Sequence, residues 1–189
     1  MSQAKFQVDS DRLRQDIERN AQFGTVTAEN GRGRTVLPGT IPNQQARDNL
    51  VERLIHADLA VNPDLVGNIT GTWVPDGCNP EAAPVVVGSH LDSVPNGGIF
   101  DGPLGVYAGL EAVRVLQNGG VSPVRPIQIV CFTGEEGTRF ADGVLGSSVA
   151  AGLLDPDAAL ALSDGSETLQ EALESIGFHG EERLDATNW

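Results

Sequence analysis

Lysine is nearly absent from this chain: Lys5 is the only one among 189 residues, and the remaining basic side chains are all arginine. Twenty-six acidic residues stand against 12 basic ones, giving a formal net charge of −14. A surface of that sign repels nucleic acid and anionic membranes, so neither is expected as a partner. The acidic residues are scattered and form no tail, which reads as a hydrated carboxylate surface. Lysine-poor, aspartate-rich composition of this kind resembles that of salt-loving organisms. Cysteine is scarce too. Cys78 and Cys131 lie far apart with no CxxC spacing, which excludes a zinc knuckle, a redox motif and a disulfide framework. Cys131 sits inside an apolar run and reads as a small core residue. No apolar stretch approaches a membrane span, and the first 20 residues lack the apolar core of a signal peptide, so a cytoplasmic protein is expected.

With 40% hydrophobic residues the chain is long enough to bury one good-sized core. Leu13, Ile17 and Ala21 recur at helical spacing and predict a helix over 9–23, with Asp9 or Asp11 as cap and Gly24 as stop. A Gly- and Asn-rich segment over 25–39 reads as a loop. Ala46, Leu50 and Leu54, beside Val51, Ile55 and Leu59, predict a second helix over 42–60, with His56 as a surface histidine near its end. Residues 65–73 read as a strand broken at Gly67-Asn68. The runs "PVVVG" (84–88) and "PIQIVCFT" (126–133) are the continuous apolar type found in sheets buried on both faces. Between them, 102–117 is apolar nearly all round and predicts a buried crossover helix ended by Gly119-Gly120. Helices are also expected over 140–151 and 169–175. This order describes an α/β sandwich in which the two apolar strands are parallel and joined by the crossover helix of a βαβ unit.

Chemistry in such sheets gathers at the carboxyl ends of the strands. The first apolar strand runs into Ser89-His90-Leu91-Asp92, and the second into Gly134-Glu135-Glu136-Gly137. If the two tips share a crevice, His90, Asp101, Glu135 and Glu136 converge into a ligand set that suits zinc, manganese or cobalt. Asp92 lies two residues along an extended segment and is expected to accept the other N–H of the His90 ring through its carboxylate. Adjacent Glu135 and Glu136 cannot both face one ion, so one is expected to ligate and the other to take a proton from a water.

The stretches "GSHLDSVPNGGIFDGPLGVYAGLEAV" and "CFTGEEGTRFADGVLGSSVAAG" resemble the M20 metallohydrolases. Within them they are most similar to the branch of N-carbamoyl-L-amino-acid hydrolases, β-ureidopropionases and allantoate amidohydrolases. The pieces "GRGRTVLPGT" and "DLVGNITGTW" fit the same branch. The resemblance implies a zinc-peptidase-like catalytic domain, a three-layer sandwich around a mostly parallel mixed sheet. It implies two divalent metal ions, zinc or else manganese or cobalt. His90 would ligate one ion, Asp101 would bridge both and Glu136 would ligate the other. Glu135 would be the general base toward a metal-bridged water, Asp92 would orient His90, and the peptide bond after Asp101 would be cis. The implied substrate is a small carbamoyl or ureido compound, hydrolysed at a C–N bond, and the complete enzyme would be a homodimer.

The family's enzymes are considerably longer. They carry two further histidine ligands, one in a "HIEQG"-like motif, and a lid domain. On this basis 1–189 is expected to be the N-terminal part of a catalytic domain, lacking the lid and the C-terminal part, and inactive alone. His179 lacks the flanking pattern of a replacement ligand. Two other readings stand beside this one: a non-catalytic remnant or partner subunit, and an M20 peptidase or deacylase.

Overall fold

The computed structural model describes residues 6–28 and 31–189. Its first helix, α1 (Ser10–Asn20), starts where Asp9 accepts the backbone N–H of Arg12 at 3.0 Å. The expected loop over 25–39 instead contains an antiparallel hairpin, β1 (Thr25–Ala28) and β2 (Gly31–Arg34). Helix α2 (Ile41–His56) opens with Pro42 in its first turn. It ends earlier than its periodicity suggests because Asp58 turns the chain at φ 58°, and β3 (Ala60–Pro63) follows.

Strand β4 (Ile69–Trp73), strand β5 (Val85–His90), helix α3 (Pro103–Asn118) and strand β6 (Ile127–Phe132) complete the sheet. Its order is β3-β4-β6-β5. The sheet is mixed: β5 and β6 are parallel, as the crossover requires, while β3/β4 and β4/β6 are antiparallel. The parallel register pairs Val85 with Ile127 and His90 with Phe132, so the two tips end side by side.

The C-terminal third is helical, with α4 (Leu145–Ala150), α5 (Pro156–Leu160) and α6 (Leu169–Ser175), then a 3-10 turn at Ala186–Asn188. Helix α4 is shorter than the expected 140–151. Phe140 (φ 68°), Gly143 (φ 114°) and Val144 (φ 47°) hold left-handed conformations ahead of it. Among the described residues no helix is long and apolar enough to cross a membrane.

One core cluster joins α1, α2, α3 and the sheet through Ile17, Leu50, Leu54, Leu110, Ile129 and Cys131, all nearly inaccessible. Each such aliphatic side chain removed from water contributes about 1.5–3 kcal/mol. A second cluster joins α4, α5 and α6 through Leu145, Val149, Leu160, Leu169 and Leu173. Between the helices run buried polar contacts. Asp16 of α1 holds Arg53 of α2 at 3.0 Å and Arg114 of α3 at 2.6 Å, and Arg12 grips buried Glu111 of α3 with two bonds of 2.8 Å.

Candidate metal centre

His90 ends β5 and is buried. Its Nδ1 lies 3.0 Å from the backbone carbonyl of Asp92. A carbonyl only accepts, so the contact is one that an Nδ1–H makes, and Nε2 is the ring nitrogen that faces the acidic cluster. That nitrogen faces Asp101 Oδ1 at 3.8 Å and Glu135 Oε2 at 3.4 Å. One ligand atom each from His90, Asp101 and Glu136 lies within 4.8 Å of the others, a group that could hold a divalent cation. One imidazole nitrogen beside two carboxylates at this spacing is a donor set that fits a divalent metal.

Asp92 serves the site differently from the expectation. Its carboxylate is 3.8 Å from His90 Nδ1, and Oδ2 instead accepts the backbone N–H of Glu136 at 3.0 Å. The ring is therefore oriented by the Asp92 carbonyl. The carboxylate is taken up in joining the loop after β5 to the loop after β6. The expected cis bond is also absent: among the described residues every peptide bond is trans, that between Asp101 and Gly102 included. The chain turns at Gly102, with φ 81° and ψ −65°, directly into α3.

The loop carrying Glu135 and Glu136 is fixed by its own backbone. Carbonyls of Thr133, Gly134 and Glu135 accept N–H groups of Gly146, Leu145 and Val144 at 2.8, 3.1 and 2.9 Å. Arg139 adds a clamp, bonded to Pro38 O at 2.8 Å, Asp164 at 2.7 Å and Glu167 at 2.8 Å. Burial pushes the Glu136 carboxyl above its ordinary value, and Asp101, Glu135 and Asp92 push the same way against His90.

Two buried arginines support the strand tips, although the pattern of the second helix reads Arg47 as facing water. Arg47 donates to Gly67 O at 2.5 Å and to Thr133 Oγ1 at 2.9 Å, beneath the end of β6. Arg34 donates to the carbonyls of Leu91 and Asp92, beneath the end of β5. Their only signal in the sequence is an arginine beside small or apolar residues. The expected outsiders stay outside: His179 bonds Leu65 O at 2.8 Å and is not in the cluster, and His56 is exposed at the end of α2.

Comparison with known proteins agrees with the motifs. The model of peptidase family M28 matches residues 68–182, where the motifs resembled family M20. The N-carbamoyl-L-amino acid amidohydrolase of Geobacillus stearothermophilus is 42% identical over 161 residues, covering 85% of this chain and 39% of that one. The ureidoglycolate hydrolase of Arabidopsis thaliana is 42% identical over 125 residues, covering 65% of this chain and 26% of that one. Among solved structures, a hydantoinase/carbamoylase family amidase from Burkholderia ambifaria superposes with a TM-score of 0.88 at 38% identity, covering 96% of this chain and 44% of that chain. The chain spans less than half the length of the curated relatives it matches. Matched by its model over 68–182, the chain belongs to peptidase family M28, and its relatives include an N-carbamoyl-L-amino acid amidohydrolase, a ureidoglycolate hydrolase and a hydantoinase/carbamoylase family amidase.

Proposed function

We propose that this chain carries the cation-binding and proton-transferring part of an amidohydrolase that cleaves the C–N bond of linear carbamoyl or ureido compounds, of the N-carbamoyl-L-amino-acid type. The observation that carries the reading is the approach of His90, Asp101 and Glu136 within 4.8 Å at two adjacent strand tips, with Glu135 beside them. Divalent ions held there, zinc or else manganese or cobalt, supply Lewis acidity toward a water and the substrate carbonyl. His90 binds through Nε2, and Asp101 and Glu136 through their carboxylates. Glu135 accepts the proton of the attacking water as its oxygen adds to the ureido carbon. The C–N bond breaks, and Glu135 returns that proton to the departing amine. The carbamic acid released falls to carbon dioxide and ammonia. Asp92 keeps the ligating and proton-accepting loops in register through its bond to Glu136 N–H.

The ligand set within 1–189 is short for two ions, since a catalytic zinc normally takes three protein ligands. The 189-residue polypeptide is therefore proposed to bind divalent ions weakly and to turn over substrate poorly by itself. The test is calorimetry of the purified chain with Zn²⁺ and Mn²⁺, beside an assay for amine release from N-carbamoyl amino acids. Weak binding abolished by His90→Ala, with little turnover, is expected. Absence of any binding defeats the cation site, and robust turnover defeats the incomplete set. The peptidase name of the matched family favours a second reading, and release of amino acids from dipeptides in place of carbamoyl substrates would establish it.

A further inference from the structure

The break at Gly67-Asn68 leads into β4, and Asn68 is wholly buried there, outside every group named so far. Its side chain reaches both ends of the loop that carries Glu135 and Glu136. Oδ1 accepts Thr133 N–H at 3.0 Å, where β6 gives way to the loop. Nδ2 donates to Gly146 O at 3.0 Å, where the loop enters α4, and to Asp64 Oδ2 at 2.9 Å. An N–H only donates and a carbonyl only accepts, so these partners fix which way round the amide lies.

Thr133 and Gly146 also meet directly. Gly146 N–H donates to Thr133 O at 2.8 Å, the first of the three bonds that close the loop on itself. In an antiparallel sheet two residues that meet this way return the bond. Here the returning groups, Thr133 N–H and Gly146 O, are each bonded to the Asn68 amide instead, which stands between them as a wedge. The strand side of the wedge is held, because Arg47 donates to Thr133 Oγ1 at 2.9 Å. The loop side is close-packed, since a Cβ on Gly146 would overlap Asn68 Oδ1. Behind the amide stands buried Asp64, whose Oδ1 accepts the N–H groups of Val66 and Asn68 at 3.0 and 2.7 Å. Its Oδ2 also accepts Leu184 N–H at 3.2 Å. Without the amide, Thr133 N–H and Gly146 O either close on each other or stay buried and unmet, and both outcomes shift the loop. We propose that Asn68 is a positioning residue for the cation site: wedged between Thr133 N–H and Gly146 O, it sets where the 134–145 loop, with Glu135 and Glu136, stands against His90 and Asp101. This rests on the reading of that cluster as a cation site.

The experiment uses the 189-residue chain as wild type, Asn68→Ala and Asn68→Ser. Asp16→Ala, whose partners Arg53 and Arg114 lie in the helix layer, controls for stability lost elsewhere. Amide NMR spectra without metal report the loop, Zn²⁺ calorimetry the site, and urea unfolding the stability. The wild-type Asn68 Nδ2 protons are expected to exchange with solvent far more slowly than those of an exposed side-chain amide. Asn68→Ala is expected to move the amide signals of Glu135 and Glu136 and to weaken Zn²⁺ binding by about tenfold or more, the range for a lost partner behind a ligand. Asn68→Ser, too short to bridge both groups, is expected to do the same and takes its place if Asn68→Ala does not fold. Asp16→Ala is expected to lose stability and keep the wild-type affinity. Fast-exchanging Asn68 Nδ2 protons in the wild type overturn the proposal without any variant. So does a folded variant at position 68 with unchanged loop signals, or with unchanged affinity where the wild type binds Zn²⁺. So does an equal loss of affinity in Asp16→Ala, which would make stability the cause. A wild type that binds no Zn²⁺ while the variants at position 68 move the Glu135 and Glu136 signals defeats the cation-site reading and leaves the wedge supported.

Discussion

Gly102 sits where no other residue fits. Its φ of 81° lies in the region that side chains avoid, and a Cβ there would stand 2.6 Å from His90 O and 2.7 Å from both Nδ1 and Cε1 of the ring. The residue after Asp101 thus decides how close the helix start comes to the ligating imidazole. Gly102→Ala is expected to displace the ring, to weaken Zn²⁺ or Mn²⁺ binding by more than tenfold in calorimetry, and to cost about 1–3 kcal/mol in urea unfolding for the strained backbone alone. Unchanged affinity would mean that the ring is not the ligand. The two cysteines make a second test. Cys131 is buried, and burial first, then Asp92, pushes its thiol up to about 12, with Arg47 acting the other way. Cys78 is partly exposed. A thiol reagent at pH 8 is expected to modify Cys78 alone in the native chain and Cys131 only on unfolding. Rapid modification of both would place Cys131 outside the core.

Among the elements, the helices bind to one another through charges as well as through apolar stripes. Asp16→Ala would leave Arg53 and Arg114 facing each other across α1, α2 and α3 without their shared carboxylate. A loss of about 3 kcal/mol in urea unfolding is expected, as for removal of one member of a buried ion pair. Helix α6 carries a reciprocal cap: Thr168 Oγ1 accepts the N–H of Glu171, and Glu171 Oε2 accepts the N–H of Thr168. The backbone bond, then the hydroxyl bond, holds the Glu171 carboxyl below its ordinary value. Because the folded value is depressed, the cap's contribution is complete above the ordinary carboxylate range and is lost as the pH falls through the folded value. Thr168→Ala should cost about 1 kcal/mol and return the Glu171 inflection toward its ordinary position in a carboxyl NMR titration. Elements with strong local signals were legible: α1 by its apolar spacing and cap, α3 by an apolar run closed by Gly119-Gly120, and β5 and β6 by apolar runs that follow Pro84 and Pro126. The hairpin over 25–34 was not, because "GRGR" has neither alternation nor β-branched residues, and its conformation comes from docking on the loop near Gly97. Strand β3 hid behind Pro63, and the late start of α4 behind a left-handed Val144. The same division runs through the site. His90, Asp101, Glu135 and Glu136 could be read from strand ends. The turn of the Asp92 carboxylate toward Glu136 and the burial of Arg34 depend on contacts between distant segments.

At the scale of the whole molecule, the net charge of −14 sets a repulsion that no single contact carries. Strong ion pairs do not offset it under salt-sensitive conditions, because those of Arg12, Arg114 and Arg139 involve partly or wholly buried partners and are weakly screened. The unpaired acidic surface is screened readily: the Debye length falls from about 30 Å at 0.01 M salt to about 3 Å at 1 M. Self-repulsion destabilises the compact state more than the expanded one, so added NaCl should raise the urea midpoint. The cation site would respond to a different variable. Ions bound there stabilise by mass action, about 2.7 kcal/mol when the ion stands at 100 times its Kd, and sodium does not replace them. The two effects separate in His90→Ala. The variant is expected to keep the full rise of the urea midpoint with NaCl and to lose the rise with Zn²⁺ at constant ionic strength. A midpoint that stays flat or falls with NaCl would show that exposed ion pairs, rather than excess carboxylates, dominate the surface. A Zn²⁺ effect that survives in His90→Ala would assign it to those scattered carboxylates instead of the two strand tips.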